Sequence, residues 1–198
     1  MMMKSTKILA LIIAILLFAG CSSSDTSAKK PGNAYNEFTY THYSSGGTPE
    51  KYMAVILFEQ SCSTFTAYQV AYSSCTCRDS LVAYYSVCYV ELLNTKQSAD
   101  EAAIRTISFG DNKGLYGDSN PNYYIPEYTE EYMDKNFIQR LVGASKSDFD
   151  SWKGYGSQLS CVDVDAVTGA TVTTSNVTSM LKSLFQYHAK KYYGKKSK

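Results

Sequence analysis

The chain has 198 residues with 19 basic and 18 acidic side chains, so it carries almost no net charge. Without Lys4 and Lys7 of its N-terminal leader the balance is 17 basic to 18 acidic side chains, so the composition shows none of the net basic charge that is typical of nucleic-acid-binding proteins. His42 and His188 are the only histidines, so the sequence predicts no paired-histidine metal site. Beyond the leader and a polar linker about 160 residues remain, which suits a single domain with one core.

Residues 1–20 have the pattern of a bacterial lipoprotein signal peptide. Lys4 and Lys7 precede an uncharged apolar run, Ile8–Gly20, which is too short for a bilayer span of about 20 residues. The run ends in Ala-Gly directly before Cys21. We therefore expect cleavage before Cys21, acylation of its thiol, and anchoring in the lipid bilayer on the extracytoplasmic face of the cell membrane. A buried core segment is the alternative, but it does not account for the basic start.

Residues 21–36 are predicted to be a flexible tether, because Ser, Asp, Thr, Lys, Pro and Gly dominate and leave little to bury. The folded domain is predicted over residues 37–198, with its core starting near Lys51. The lysines at the C-terminal end favour a solvated tail over a surface for anionic lipid.

Four segments have the composition or alternation of β-strands. They are Met53–Phe58, Thr66–Tyr72, Val82–Leu92 and Ile104–Phe109. The second is predicted to place Thr66, Tyr68, Val70 and Tyr72 on one face. Ser73–Ser80 is predicted to be a turn or loop, so the strands on either side of it form an antiparallel pair. In the last segment strict alternation would place Ile104 and Ile107 on opposite faces.

Helices are predicted mainly in the C-terminal half. Thr95–Ala103 allows a helical turn, and Gly110–Pro126 is predicted to be a loop. A helix is predicted from a cap at Thr129 to a stop at Gly143, and a second capped turn over Ser147–Trp152. The final helix places its apolar residues on one stripe: Val177, Met180, Leu181, Leu184, Phe185 and His188. The predicted fold class is α+β, a twisted antiparallel sheet with packed helices.

The segment Val164–Ser175 is predicted to be the functional centre, as a strand end, a tight turn and the start of the final helix. Gly169 and Ala170 allow a close turn, and four hydroxyl side chains follow within the next six residues. A helix N-terminus has unpaired backbone N–H groups and partial positive charge, which suits a phosphate. The alternative is that the Thr/Ser run is only a helix cap, and a cap at Thr174 or Ser175 is compatible with either role of the segment.

The six residues Thr168–Thr173 (Thr-Gly-Ala-Thr-Val-Thr) fit the pattern Ser/Thr-Gly-Ala-Thr/Ser-x-Thr. In this the chain resembles the FMN-binding domain family, which includes the C subunit of the sodium-pumping NADH:quinone reductase and the G subunit of the Rnf-type electron-transport complex. The resemblance implies that Thr173 carries FMN through a phosphoester bond, and that a flavin transferase attaches it with FAD as the donor.

The resemblance also implies a set of cofactor-binding neighbours around the phosphate. They are Asp165, Thr168, Gly169, Ala170, Thr171 and Thr174. Asp165 is expected to order the turn or to bind the metal used during flavin transfer. Gly114–Gly117 and Phe137–Gly143 look like counterparts of a Gly-rich loop and a Phe-containing segment in the family. Within and after that loop, Tyr116, Tyr123 and Tyr124 are candidates for stacking on the flavin ring.

Five cysteines follow Cys21, an odd number that leaves at least one thiol unpaired. A structural bridge from Cys62 to Cys75 or Cys77 is the favoured arrangement, while Cys88 is expected to be a small buried apolar side chain. A redox or metal role for Cys75 and Cys77 is the alternative.

These features together predict a lipid-anchored extracytoplasmic flavoprotein that passes electrons to a redox partner at the membrane. We expect a redox subunit rather than a stand-alone enzyme. Two alternatives are a non-catalytic surface-binding lipoprotein and a thiol-disulfide protein.

Overall fold

The computed structural model describes residues 36–75, 84–95, 97–110, 130–160 and 171–194. These residues contain a five-stranded antiparallel sheet with its strands in sequence order. The strands are β1 (Asn36–Tyr43), β2 (Pro49–Ser61), β3 (Phe65–Cys75), β4 (Tyr84–Leu93) and β5 (Ile104–Phe109). Each strand pairs with the next one along the chain, so the sheet is a simple meander.

Helical segments follow the sheet in the chain. A short 3₁₀ turn spans Ala99–Glu101, before β5. After β5 come α1 (Glu130–Met133), a π-helical turn (Asp134–Ile138), a 3₁₀ turn (Gln139–Leu141), α2 (Lys146–Ser151) and α3 (Thr171–Tyr192). The helix α3 packs against β1, β3 and α2. The predicted α+β class, an antiparallel sheet with packed helices, is confirmed.

The central strands bury the faces that their alternation predicts. On β3, Thr66, Tyr68, Val70 and Tyr72 are all buried. On β4, which pairs antiparallel to β3 as predicted, Cys88 and Val90 are completely buried, whereas Tyr85 on the opposite face is 69% exposed. Adjacent side chains of a strand point to opposite faces of the sheet. The alternation of buried and exposed residues along β3 and β4 therefore determines the face of the sheet on which the helices pack.

The first strand was not predicted from the sequence. The core was expected to start near Lys51, but β1 already contributes Phe38, Tyr40 and His42 to the buried face. The predicted turn over Ser73–Ser80 is wrong in its first residues, since β3 continues to Cys75. Residues 76–83 and the predicted loop at 111–126 lie outside the described residues.

A bulge changes the faces of β5. Glu91 pairs with Thr106 but the next residue, Leu92, pairs with Ile104, so one residue of β5 is left over. Ile104 and Ile107 are therefore both buried, and the strict alternation predicted for this strand is wrong. An extra residue in one strand of a pair shifts the side-chain phase in this way.

The predicted helix before Gly143 is present but irregular, because α1 continues through the π-helical and 3₁₀ turns. It ends before Gly143, whose φ of +90° is accessible mainly to glycine, as the predicted stop requires. The next helix starts earlier than predicted. Ser145, not Ser147, is the N-cap of α2, and it forms a reciprocal capping box with Asp148.

The apolar stripe of α3 is the largest helical contribution to the core. All six residues predicted for it are buried, including His188 at 0% exposure. Full burial of one large aliphatic or aromatic side chain stabilises a fold by roughly 1.5–3 kcal/mol. Near the end of the helix Lys191 forms an ion pair with Glu59 on β2, at 2.6 Å, so this lysine is not part of a free solvated tail.

Burial of His188 predicts a pH-dependent stability. Its Nδ1 lies 2.8 Å from the Tyr68 hydroxyl, and burial lowers the pKa of the imidazole from 6.5 to about 4. The unfolded chain then binds the proton more readily, so stability is lost as the pH falls from 6.5 towards 4. We expect a loss of about 3 kcal/mol over this window, measured by urea unfolding.

His188→Phe is the control for this prediction. His42 is also buried with a lowered pKa, and it titrates in both proteins, so only the difference between their pH profiles reports on His188. The variant should lack most of the decline between pH 6.5 and about 4. Equal slopes in the two proteins would contradict the assignment.

Residues Tyr35–Lys198 form a compact unit. The predicted signal peptide, Cys21 and most of the tether precede residue 36 and so lie outside the described residues, and these boundaries stay predictions. In the described part of the chain, no helix combines the length and apolar character that crossing a membrane demands.

Candidate functional site

The second half of the predicted motif forms the first turn of α3. The structure describes Thr171, Thr173 and Thr174, whereas Asp165, Thr168, Gly169 and Ala170 lie outside the described residues. Since α3 begins at Thr171, the three described threonines lie within its first four residues. Their position at the helix start agrees with the predicted turn-to-helix arrangement, and their role in cofactor binding stays a prediction.

The hydroxyl groups at this helix start have different partners. Thr174 Oγ1 donates to the Thr171 carbonyl at 3.3 Å, and Ser175 Oγ accepts from the Gly156 N–H at 3.3 Å. The predicted cap at Thr174 or Ser175 is wrong, because both residues lie inside the helix, and the residue that precedes Thr171 lies outside the described residues. Among the described residues, the Thr173 hydroxyl has no hydrogen-bond partner. It is therefore free of the local contacts that occupy its neighbours.

Thr173 continues the buried stripe of α3 towards its N-terminus. It precedes Val177 by four residues and Met180 by seven, so all three share one helix face. Thr173 is only 5% exposed. A group esterified at this hydroxyl would therefore start from the edge of the core rather than from the open surface.

The electrostatics of the helix start suit an anion. No acidic residue lies in the first turn of α3. The first four N–H groups of a helix lack partners within it, and the helix dipole adds partial positive charge there. A phosphate at this position would meet N–H donors without a neighbouring first-turn carboxylate to repel it.

Asn176 fastens the helix start to the sheet. Its side-chain oxygen accepts from the Tyr43 N–H at 2.7 Å, and its side-chain nitrogen donates to the Tyr43 carbonyl at 3.0 Å and to the Ser74 carbonyl at 2.9 Å. The residue is completely buried. One amide thus satisfies three backbone groups at the ends of β1 and β3, and it fixes the position of the turn that contains Thr173.

The segment after α2 supports the other side of this turn. Gly156, with a φ of +68°, places its backbone beside Thr171, since a Cβ there would lie 3.7 Å from the Thr171 methyl group. Trp152 Nε1 donates to the Ser157 carbonyl at 3.0 Å and so closes this segment on itself. The Tyr43 ring packs edge-on against Trp152, and burial raises the pKa of the Tyr43 phenol.

The predicted bridge from Cys62 is wrong, because Cys62 is an exposed free thiol. It lies just before β3, whereas Cys75 ends that strand. Eleven extended residues span roughly 35 Å, far beyond the reach of a disulfide. Cys77 lies outside the described residues. Cys88 is completely buried and free, as predicted for a small apolar side chain.

The described residues contain no cluster of three or more His, Cys, Asp or Glu side chains that could hold a metal ion. Sequence reasoning missed Asn176 as a positioning residue and treated it only as the start of an amphipathic run. The available signal was a weak helix former directly before a buried stripe. Its partners lie 133 and 102 residues away in the chain, and no local pattern reveals them.

Comparison with known proteins gives one match. Residues 92–186 match the family model described as FMN-binding domain. No curated protein and no solved structure matches the chain. The matched range starts in β4, includes β5 and α2, and ends within α3, so β1 to β3 lie outside it.

Proposed function

Because residues 92–186 belong to the FMN-binding domain family, we propose that this chain is an electron-transfer flavoprotein with FMN esterified to Thr173. The observation that carries the proposal is the position of Thr173. It lies in the first turn of α3, with a hydroxyl that has no hydrogen-bond partner among the described residues, while Thr174 and Ser175 are engaged. A phosphoester forms at a hydroxyl oxygen, and esterification of this one would break no hydrogen bond between described residues.

The residues at the start of α3 are chemically suited to hold the phosphate group of FMN. The N–H groups at the start of α3 would donate to phosphate oxygens, and the absence of a first-turn acid removes repulsion. Asn176 would hold that turn in a fixed place relative to the sheet. The bound FMN would supply the redox chemistry, and the protein would contribute attachment, orientation and exclusion of water around the ester.

We further propose that the protein works on the extracytoplasmic face of the membrane, anchored through acylated Cys21. The tether of residues 21–36 reaches at most about 55 Å when fully extended, so the domain would stay close to the bilayer. A covalent link makes sense there, since a dissociated cofactor would be lost by dilution. The proposed partners of the protein are a flavin transferase that uses FAD and a redox protein at the membrane.

The test is flavin absorbance that survives denaturation. Protein made in cells that flavinylate a known control should be yellow, and its colour should remain with the chain after acid precipitation in denaturant. FMN that is bound without a covalent bond would be released to the supernatant. Colourless protein from such cells would contradict the proposal and support the surface-binding alternative.

A further inference from the structure

A polar cleft lies beside α3, on a different face from Thr173. It has a volume of about 210 Å³ and lies between β1, the segment after α2, and the middle of α3. Ser179, Lys182, Ser183 and Gln186 line it from the helix. At 3.6 residues per turn, Lys182 lies half a turn around the helix from Thr173, nine residues earlier. The cleft is therefore separate from the proposed flavin attachment point.

Two lysines give this cleft its positive charge. Lys153 and Lys182 both line it, and neither forms an ion pair with a carboxylate among the described residues. Lys182 Nζ donates to the carbonyls of Asp150 and Trp152, at 3.2 and 3.1 Å. These two bonds fix the ammonium group at the wall, and an ammonium group has a third donor to offer.

The backbone of β1 adds a further donor and acceptor. The N–H and C=O of Tyr43 both bond to Asn176, so they point away from β2. Alternate residues of a paired strand point the same way, so the N–H and C=O of Thr41 also point away from β2. Thr41 lines the cleft. The wall thus combines two cations with hydroxyl, amide and backbone groups.

We propose that this cleft binds a small anion, with its carboxylate or phosphate group held between Lys153 and Lys182. Charge-assisted hydrogen bonds from ammonium groups are among the stronger polar contacts in proteins, and the hydroxyls of Ser179 and Ser183 would orient the rest of the ligand. The volume is below the roughly 300–1,000 Å³ of sites for drug-sized molecules, which limits the ligand to a small one. The inference does not depend on the flavin proposal.

Trp152 provides a direct reporter, because it is the single tryptophan of the chain and it lines the cleft. The full chain would be titrated with succinate and, separately, with inorganic phosphate, with ionic strength held constant by sodium chloride. We expect a saturable change in tryptophan fluorescence with at least one of the two. Lys153→Gln should weaken the apparent affinity about tenfold or more.

The matched control is Lys190→Gln, an exposed lysine on the same helix that does not line the cleft. It should titrate like the unmodified chain. Lys182→Gln should lose binding too, but it also removes the bonds to Asp150 and Trp152, so Lys153→Gln is the decisive variant. A response that does not saturate with either probe, or equal affinities for the unmodified chain and Lys153→Gln, would overturn the proposal.

Discussion

Thr173→Ala is expected to lose all covalently bound flavin while the protein stays folded. The variant removes the oxygen that would form the ester. It removes one buried methyl group but no hydrogen bond between described residues, so a stability cost of about 1 kcal/mol is expected. Flavin fluorescence in a denaturing gel measures the first effect, and thermal unfolding followed by circular dichroism measures the second. Thr173→Ser keeps a hydroxyl at the same position and is expected to retain some flavin.

Thr174→Ala is the matched control for this experiment. It deletes the same hydroxyl from the adjacent residue, whose own contact is to the Thr171 carbonyl at 3.3 Å. This variant should keep its flavin. If Thr173→Ala remained fluorescent in the gel, or if Thr174→Ala lost the signal while Thr173→Ala kept it, the attachment site would be assigned to the wrong hydroxyl.

Asn176→Ala is expected to be the most destabilising substitution at the site. It removes two partly buried hydrogen bonds to the N–H and C=O of Tyr43 and one buried hydrogen bond to the carbonyl of Ser74. Losing a hydrogen bond costs roughly 1–2 kcal/mol where its groups are partly or fully buried, so the three together predict a loss of about 3–6 kcal/mol. That is a large part of the roughly 5–15 kcal/mol that holds a typical domain together. Urea unfolding measures it.

Asn136→Ala serves as the comparison, because Asn136 also bonds to the backbone through its side chain. It donates once, to the Tyr132 carbonyl at 2.9 Å, and it is not fully buried. We expect this variant to lose about 1 kcal/mol. Equal losses in the two variants would show that the amide of Asn176 does not fasten α3 to the sheet, and the fixed position of the helix start would need another cause.

The sequence was most informative where one face of an element is buried along its whole length. The four alternate residues of β3 and the apolar stripe of α3 were predicted because both follow the period of their backbone. In β1 the alternation is also present, but its buried side chains are Phe38, Tyr40 and His42 rather than aliphatic residues. The bulge that buries both Ile104 and Ile107 depends on pairing with β4, which a local pattern does not contain.

The candidate site shows the same division between local and long-range information. The sequence predicts Thr173 at the start of a helix, and the structure has Thr173 in the first turn of α3. Two further local readings, a cap at Thr174 or Ser175 and a bridge from Cys62, were wrong. Both depend on the start of α3 or on the distance between strand ends, which the tertiary fold determines. The partners of Asn176 and the walls of the lysine-lined cleft come from distant segments of the chain, which no local pattern brings together.

The mass of the peptide that contains Thr173 tests the central claim most directly. The protein should be purified from cells whose flavin transferase is active, digested, and examined by mass spectrometry with fragmentation. The account predicts that this peptide carries the added mass of one FMN, less the water lost in forming the ester, and that the fragments assign it to Thr173. An unmodified peptide from such cells, or a flavin located on another residue, would contradict it.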